Sequence, residues 1–195
     1  MPEQTLQDLY ISELKDLYSA EQQLVKALPK IVKNTESQEL SDAISNHLEE
    51  TRNQVTRLEQ IFESLGENPK GKKCVGMQGI IEEGGETIDE FEGNVLDAGI
   101  ISAAQRVEHY EIAAYGSVCA YAELLERTED LGLLKETLEE EKKADEKLTQ
   151  LSETVNQSAL EGYEQETSRE GAKPVRHQSG REPGNARNRK TRSAA

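Results

Sequence analysis

Carboxylates stand inside, or at the border of, otherwise apolar stripes at several separate places in this chain. At about 100° per residue around a helix, Glu21 projects between Leu17, Leu24 and Leu28, and Glu111 between Val107, Ala114 and Val118. Glu141 and Asp145 continue the line that runs from Leu134 and Leu138 to Leu148, while Glu50 and Glu108 lie at the edges of their stripes. His47 and Gln54 occupy the centre of another. Burying an ionised carboxylate without a partner is very costly, and no Lys or Arg takes the central positions beside these acids. Any one of them, taken alone, reads as half-exposed or paired with a nearby basic side chain. The set reads differently: six inward acids would be neutralised by a divalent cation, or better by a pair of them. The candidate ligands are Glu21, Glu50, Glu108, Glu111, Glu141 and Asp145.

Helices must position these groups. Apolar residues at 6, 9, 10, 14, 17, 20, 24, 28 and 31 recur every 3.6 residues or so and predict a helix over about Pro2–Lys33, opened by Pro2 and bent in its last turn by Pro29. A second helix follows from the N-cap Ser37 to the stop at Gly66. A glycine-interrupted helix over about Cys74–Glu92 reads as a connection, and two more long helices span about Asn94–Arg127 and Leu131–Gln157 with a turn at Thr128–Asp130. Two antiparallel hairpins joined by a crossing segment form the ferritin-like four-helix bundle, whose interior is where paired iron or manganese ions sit among carboxylates. Counted outward from the two turns, Glu21 and Glu50 reach one level, and Glu111 and Asp145 reach another common level.

Composition supports an all-α chain. With 195 residues it is one domain, with 4% aromatics, no Trp and long Ala/Leu/Glu/Lys/Gln-rich stretches. Two distant cysteines, Cys74 and Cys119, make no CxxC pair and so argue against a disulfide framework or a zinc ribbon. No apolar run is long enough for a membrane span and no signal peptide is visible at the start, which predicts a soluble, cytoplasmic protein without a membrane partner. The net charge of −15 is unevenly placed, with −19 on residues 1–161, the predicted bundle domain. Residues 162–195 instead hold eight Lys/Arg against four Asp/Glu among Gly, Pro and Ser, and read as a disordered tail able to contact nucleic acid weakly at most. Gly84-Gly85 fits no phosphate loop, because no strand precedes it.

The segments Tyr18-Ser19-Ala20-Glu21, His47-Leu48-Glu49-Glu50-Thr51, Lys73-Cys74-Val75-Gly76-Met77, Val107-Glu108-His109-Tyr110-Glu111-Ile112 and Leu138-Glu139-Glu140-Glu141-Lys142-Lys143-Ala144-Asp145 resemble the YciE/YciF family of ferritin-like bacterial stress proteins over about residues 5–160. The resemblance implies a homodimer with a rubrerythrin-like centre of two divalent metal ions, Fe or Mn, in each subunit. Carried onto this chain, it assigns the same six acids as ligands. It also implies a stress-response function that oxidises metal or consumes oxygen or peroxide, with a non-enzymatic structural or interaction role as the alternative. One departure is plain: di-iron relatives usually place a His three residues after the second-helix Glu and another on the last helix, where this chain has Asn53 and Ala144 or Asp145. Such an oxygen-rich shell suits Mn, Mg or Ca as well as Fe. His47 reads either as an outer ligand or as a hydrogen-bonded core residue. Tyr18 and Tyr115 read as core packing, with a hydrogen bond to a ligand as the alternative, and His109 has no assigned role.

Overall fold

The computed structural model describes residues 4–169 and contains five helices: α1 (Leu6–Asn34), α2 (Gln38–Leu65), α3 (Val75–Glu90), α4 (Gly93–Leu124) and α5 (Thr128–Arg169). No strand occurs among the described residues. No helix there is long and apolar enough to cross a membrane.

The helix ends follow local chemistry. The predicted opening at Pro2 falls outside the described residues, and α1 begins at a capping box instead: the Thr5 N–H donates to Asp8 Oδ2 at 2.8 Å and the Asp8 N–H donates to Thr5 Oγ1 at 3.2 Å. Pro29 lies within α1, which continues past it to Asn34. Ser37 caps α2, and Gly66 ends it in the left-handed region at φ 67°, where glycine carries no Cβ penalty. The turn between α4 and α5 is Leu125–Arg127, with Glu126 at φ 56°, and so lies earlier than the predicted Thr128–Asp130. The last helix is longer than predicted, running to Arg169. The basic remainder, residues 170–195, lies outside the described residues.

α1 and α2 pack as one antiparallel hairpin, α4 and α5 as the other, and α3 lies against α1 and α4. The start of α3 is moored half-way along the bundle, where the Cys74 N–H donates to Ser19 Oγ at 2.9 Å and Gln23 Nε2 donates to the Cys74 carbonyl at 3.0 Å. The helix then climbs toward the α1–α2 turn, so that α4 starts at that end and runs antiparallel to α1. Two buried aspartates fix this arrangement. Asp97, in the first turns of α4, accepts the backbone N–H groups of Glu36 and Ser37 at 3.0 and 2.7 Å, and so holds the α1–α2 turn. At the opposite end, Asp130 of α5 accepts from Tyr10 Oη of α1 and Ser64 Oγ of α2, both at 3.2 Å, and pairs with Arg127.

The core is divided. One apolar cluster contains Leu24, Leu28, Ile44, Ile100, Val107 and Leu148, and another contains Tyr10, Leu14, Leu58, Phe62, Val118 and Leu134. Between them lies a layer of buried polar side chains from all four bundle helices: Glu21, His47, Thr51, Gln54, Glu108, Glu111 and Glu141.

Asp97→Ala leaves two N–H groups without their acceptors and should cost about 2–3 kcal/mol in urea unfolding, since a hydrogen bond to a charged group is worth about 1.5–3 kcal/mol. A change below about 0.5 kcal/mol, the usual scatter for surface substitutions, would show that Asp97 does not hold the turn.

Candidate metal centre

The polar layer is built by helical periodicity. Glu108 and Glu111 are one turn apart on α4, Glu141 faces them from α5, Glu21 from α1 and His47 from α2. Glu21, Glu111 and Glu141 are wholly buried and Glu108 nearly so. One ligand atom each from His47, Glu108, Glu111 and Glu141 lies within 4.8 Å of the other three. Twice an ordinary metal–oxygen or metal–nitrogen bond is about 4–5 Å, so this buried group can hold a metal ion.

The hydrogen bonding is incomplete in a telling way. Tyr115 Oη, itself fully buried, donates to Glu21 Oε1, and Gln54 Nε2 donates to Glu141 Oε1 and, at 3.1 Å, to Glu140 Oε2. Arg57 grips Glu140 with both Nη atoms at 2.6 and 2.7 Å and also bonds Glu136, so its guanidinium is spent on the rim. Within the layer, Glu21 Oε2, Glu108 Oε2, Glu141 Oε2 and both oxygens of Glu111 have no hydrogen-bond partner. Neither nitrogen of His47 has one: Glu108 Oε1 is 3.5 Å from Nε2 and Glu50 Oε2 is 3.8 Å from Nδ1, both too far or too poorly aligned. None of the four buried glutamates forms an ion pair with Lys or Arg among the described residues, which removes the salt-bridge reading of these acids.

Protonation is the metal-free response to this crowding. Burial, and then the neighbouring Glu141, pushes Glu21 up to about 8 despite the hydrogen bond from Tyr115. Burial followed by the charge of Glu21, Glu141 and Glu108 raises Glu111 well above the usual carboxylate range. Glu108 and Glu141 are raised by burial too, against the opposing pull of His47. For His47 burial disfavours the imidazolium, yet Glu108, Glu50, Glu141 and Glu21 outweigh it and push it up to about 10.

The structure brings together four of the six predicted acids, Glu21, Glu108, Glu111 and Glu141, and leaves two at the margin. Glu50 is half-exposed beside His47, which holds it below its ordinary value. Asp145 stays outside the layer, 3.4 Å from His109 Nε2 and 3.4 Å from Gln105 Nε2. With the turn at Leu125–Arg127, Glu111 and Glu141 are equally far from it, so Asp145 lies one helical turn beyond their level. His47 enters the cluster directly, and Gln54 orients Glu141, a role the sequence reading did not assign; the signal was their place at the centre of the α2 stripe. Of the two tyrosines, Tyr115 contacts an acid of the layer. Tyr18 instead donates to Glu59 at 2.9 Å and stands edge-on to Phe62.

Residues 5–161 match the family described as a domain of unknown function, DUF892. The chain belongs to that family. It is 49% identical over 158 residues to the protein YciF of Escherichia coli K12, covering 80% of this chain and 95% of that protein. The crystal structure of this E. coli stress protein matches with a TM-score of 0.76 and 47% identity, over 80% of this chain and 99% of that one. YcfI of Rhodopseudomonas palustris, whose suggested role is structural, matches with a TM-score of 0.73 and 46% identity, over 75% of this chain and 94% of that one. A Xanthomonas campestris protein only 19% identical shares the fold alone, with a TM-score of 0.69 over 82% of this chain and 99% of that one. The resemblance to YciE/YciF predicted from the sequence motifs therefore holds, as does the helical bundle.

Two consequences can be measured on protein freed of metal by chelator. Glutamates whose folded values exceed the unfolded one stabilise the fold while protonated, and that stability is lost as pH rises from 4.5 through about 8. His47, also raised, adds the same sign above its ordinary 6.5. The melting temperature in EDTA should therefore fall between pH 5 and 8; a rise over that interval would contradict the assignment. Second, Glu111→Leu removes a buried group with no partner and should leave the metal-free protein equally stable or more stable, by about 0–3 kcal/mol. A loss of about 3–5 kcal/mol in urea would instead reveal a cation stranded by the change.

Proposed function

We propose that this family member is a stress-response protein that binds a pair of divalent ions, Fe or Mn, in the polar layer of its bundle. The carrying observation is the set of buried carboxylate oxygens and imidazole nitrogens without hydrogen-bond partners, of which His47, Glu108, Glu111 and Glu141, from three helices, bring ligand atoms within 4.8 Å of one another. The donor set fits the group: hard oxygens with one imidazole suit Mn and Fe(II), and the charge of two cations offsets that of four ionised glutamates.

Glu108, Glu111, Glu141 and His47 would hold the metals, with Glu21 beside Glu111 and Glu50 at the exposed margin. Asp145 is left out of this set. When bound, such a pair supplies redox equivalents for oxygen or peroxide. The chain contributes the rest. Tyr115 holds Glu21 and Gln54 holds Glu141, so two carboxylates are oriented before any ion arrives. The apolar clusters on either side limit the access of bulk water to the layer. Loading must displace the protons held by the raised glutamates, so affinity rises with pH. Pairing into a homodimer belongs to the same reading.

A second reading, a non-enzymatic structural protein, is favoured by the suggested role of the R. palustris relative and by the scarcity of histidine around the layer. Metal content separates the two. Protein from metal-supplemented growth should carry one to two Fe or Mn per chain and accelerate Fe(II) oxidation or peroxide loss. Added Mn(II) at a hundredfold excess over its dissociation constant should stabilise the fold by about 2.7 kcal/mol. Glu111→Leu should cancel most of that gain and Asp145→Ala almost none. Metal content well under one ion per chain, with no thermal shift, would sink the dimetal reading.

A further inference from the structure

Next to the polar layer, a cavity of about 380 Å³ opens among all five helices. Its walls are mostly aliphatic, with Leu24, Leu28, Ile44, Ile81, Val107 and Leu148 among them, and it meets the layer at His47 and Glu108. The volume falls in the range of small-molecule pockets.

Two glycines of α3 help to keep the cavity open. Gly84 and Gly85 both line it, in the interior of a helix where only proline is a poorer choice. Neither is required by backbone conformation or by crowding. A Cβ at Gly84 would meet only the Ala103 Cβ, at an ordinary 3.5 Å, and one at Gly85 would meet nothing within 4 Å. The sequence thus accepts weak helix formers where a side chain would fit.

The lining holds four lysines and three glutamates beside His47. Exposed Lys26 and Lys30 of α1 and Lys143 and Lys147 of α5 contribute to it, and none of the four forms an ion pair among the described residues. The lining carboxylates are already faced by cations: Glu140 is held by Arg57, Glu108 lies beside His47, and Glu50 lies near both His47 and Lys143.

We infer that this cavity binds a single-chain alkyl anion, such as a medium-chain carboxylate, with its hydrocarbon among the aliphatic walls and its head group at the lysines. A volume at the lower end of the range for small-molecule pockets suits one chain of medium length. The inference does not depend on metal in the polar layer.

The full chain, titrated with decanoate and decanol and followed by calorimetry, tests it. Decanoate should bind saturably at one per chain, and about tenfold or more tightly than decanol. Gly84→Leu fills the cavity from a site where the backbone tolerates it; it should keep or raise the melting temperature and weaken both ligands about tenfold or more. Lys143→Glu with Lys147→Glu should weaken decanoate alone. Absence of saturable binding, or binding that Gly84→Leu leaves untouched, overturns the cavity assignment. Equal affinity for the acid and the alcohol overturns the role of the lysines.

Discussion

Four buried glutamates share one imidazole, and most of the structure around them is a response to that imbalance. In a low-dielectric interior four negative charges at this spacing repel one another and lose their hydration at once, so metal-free protein must hold protons there. The helices bring the acids together nonetheless, because each occupies a position that the apolar stripe of its helix turns inward. The two apolar clusters then act as separate supports above and below a layer that contributes little cohesion of its own. Stability is invested at the two ends and chemistry is placed in the middle.

Much of this was legible in the sequence because periodicity is a local property. Glu21 and Glu111 sit so squarely within their stripes that angle alone identifies them, and Ser37 and Gly66 mark the ends of α2 by their own capping chemistry. What escaped depended on distances across the bundle. A turn placed three residues too late promoted Asp145 to the level of Glu111 and obscured the equal standing of Glu141. Glu50 stands apart for a related reason: on α2 the innermost acid-facing place belongs to His47, one turn earlier, and the stripe edge where Glu50 lies opens to solvent. Gln54 and Arg57 were invisible as a pair, since their roles arise only when α5 lays Glu140 and Glu141 against α2. Asp97 and Asp130 likewise hold partners 60 or more residues away, although Asp130 also pairs with the nearby Arg127.

The cavity and the polar layer are neighbours with opposite chemistry that share two side chains, His47 and Glu108. Whatever fills one borders the other, so the dielectric around His47 depends on the cavity's contents. An alkyl chain there would exclude water from one side of the layer, whereas water would raise the local polarity. Gly84 and Gly85 of α3 lie on the cavity side, and the mooring of Cys74 to Ser19 and Gln23 keeps that helix docked despite them.

The aspartates at the two ends of the bundle have an implication for how the chain assembles. Asp97 reaches from the second hairpin into the turn of the first, and Asp130, just past the turn of the second hairpin, is held by α1 and α2 of the first. Each hairpin therefore completes the other's closed end, and neither has all its backbone and side-chain partners until both are in place. Such reciprocal closure makes the bundle one cooperative unit instead of two hairpins that dock after folding separately. The covalent link between them, residues 66–74 and α3, is correspondingly relieved of the task of holding them together. A backbone cut in that link would leave two fragments that still need each other to satisfy their ends.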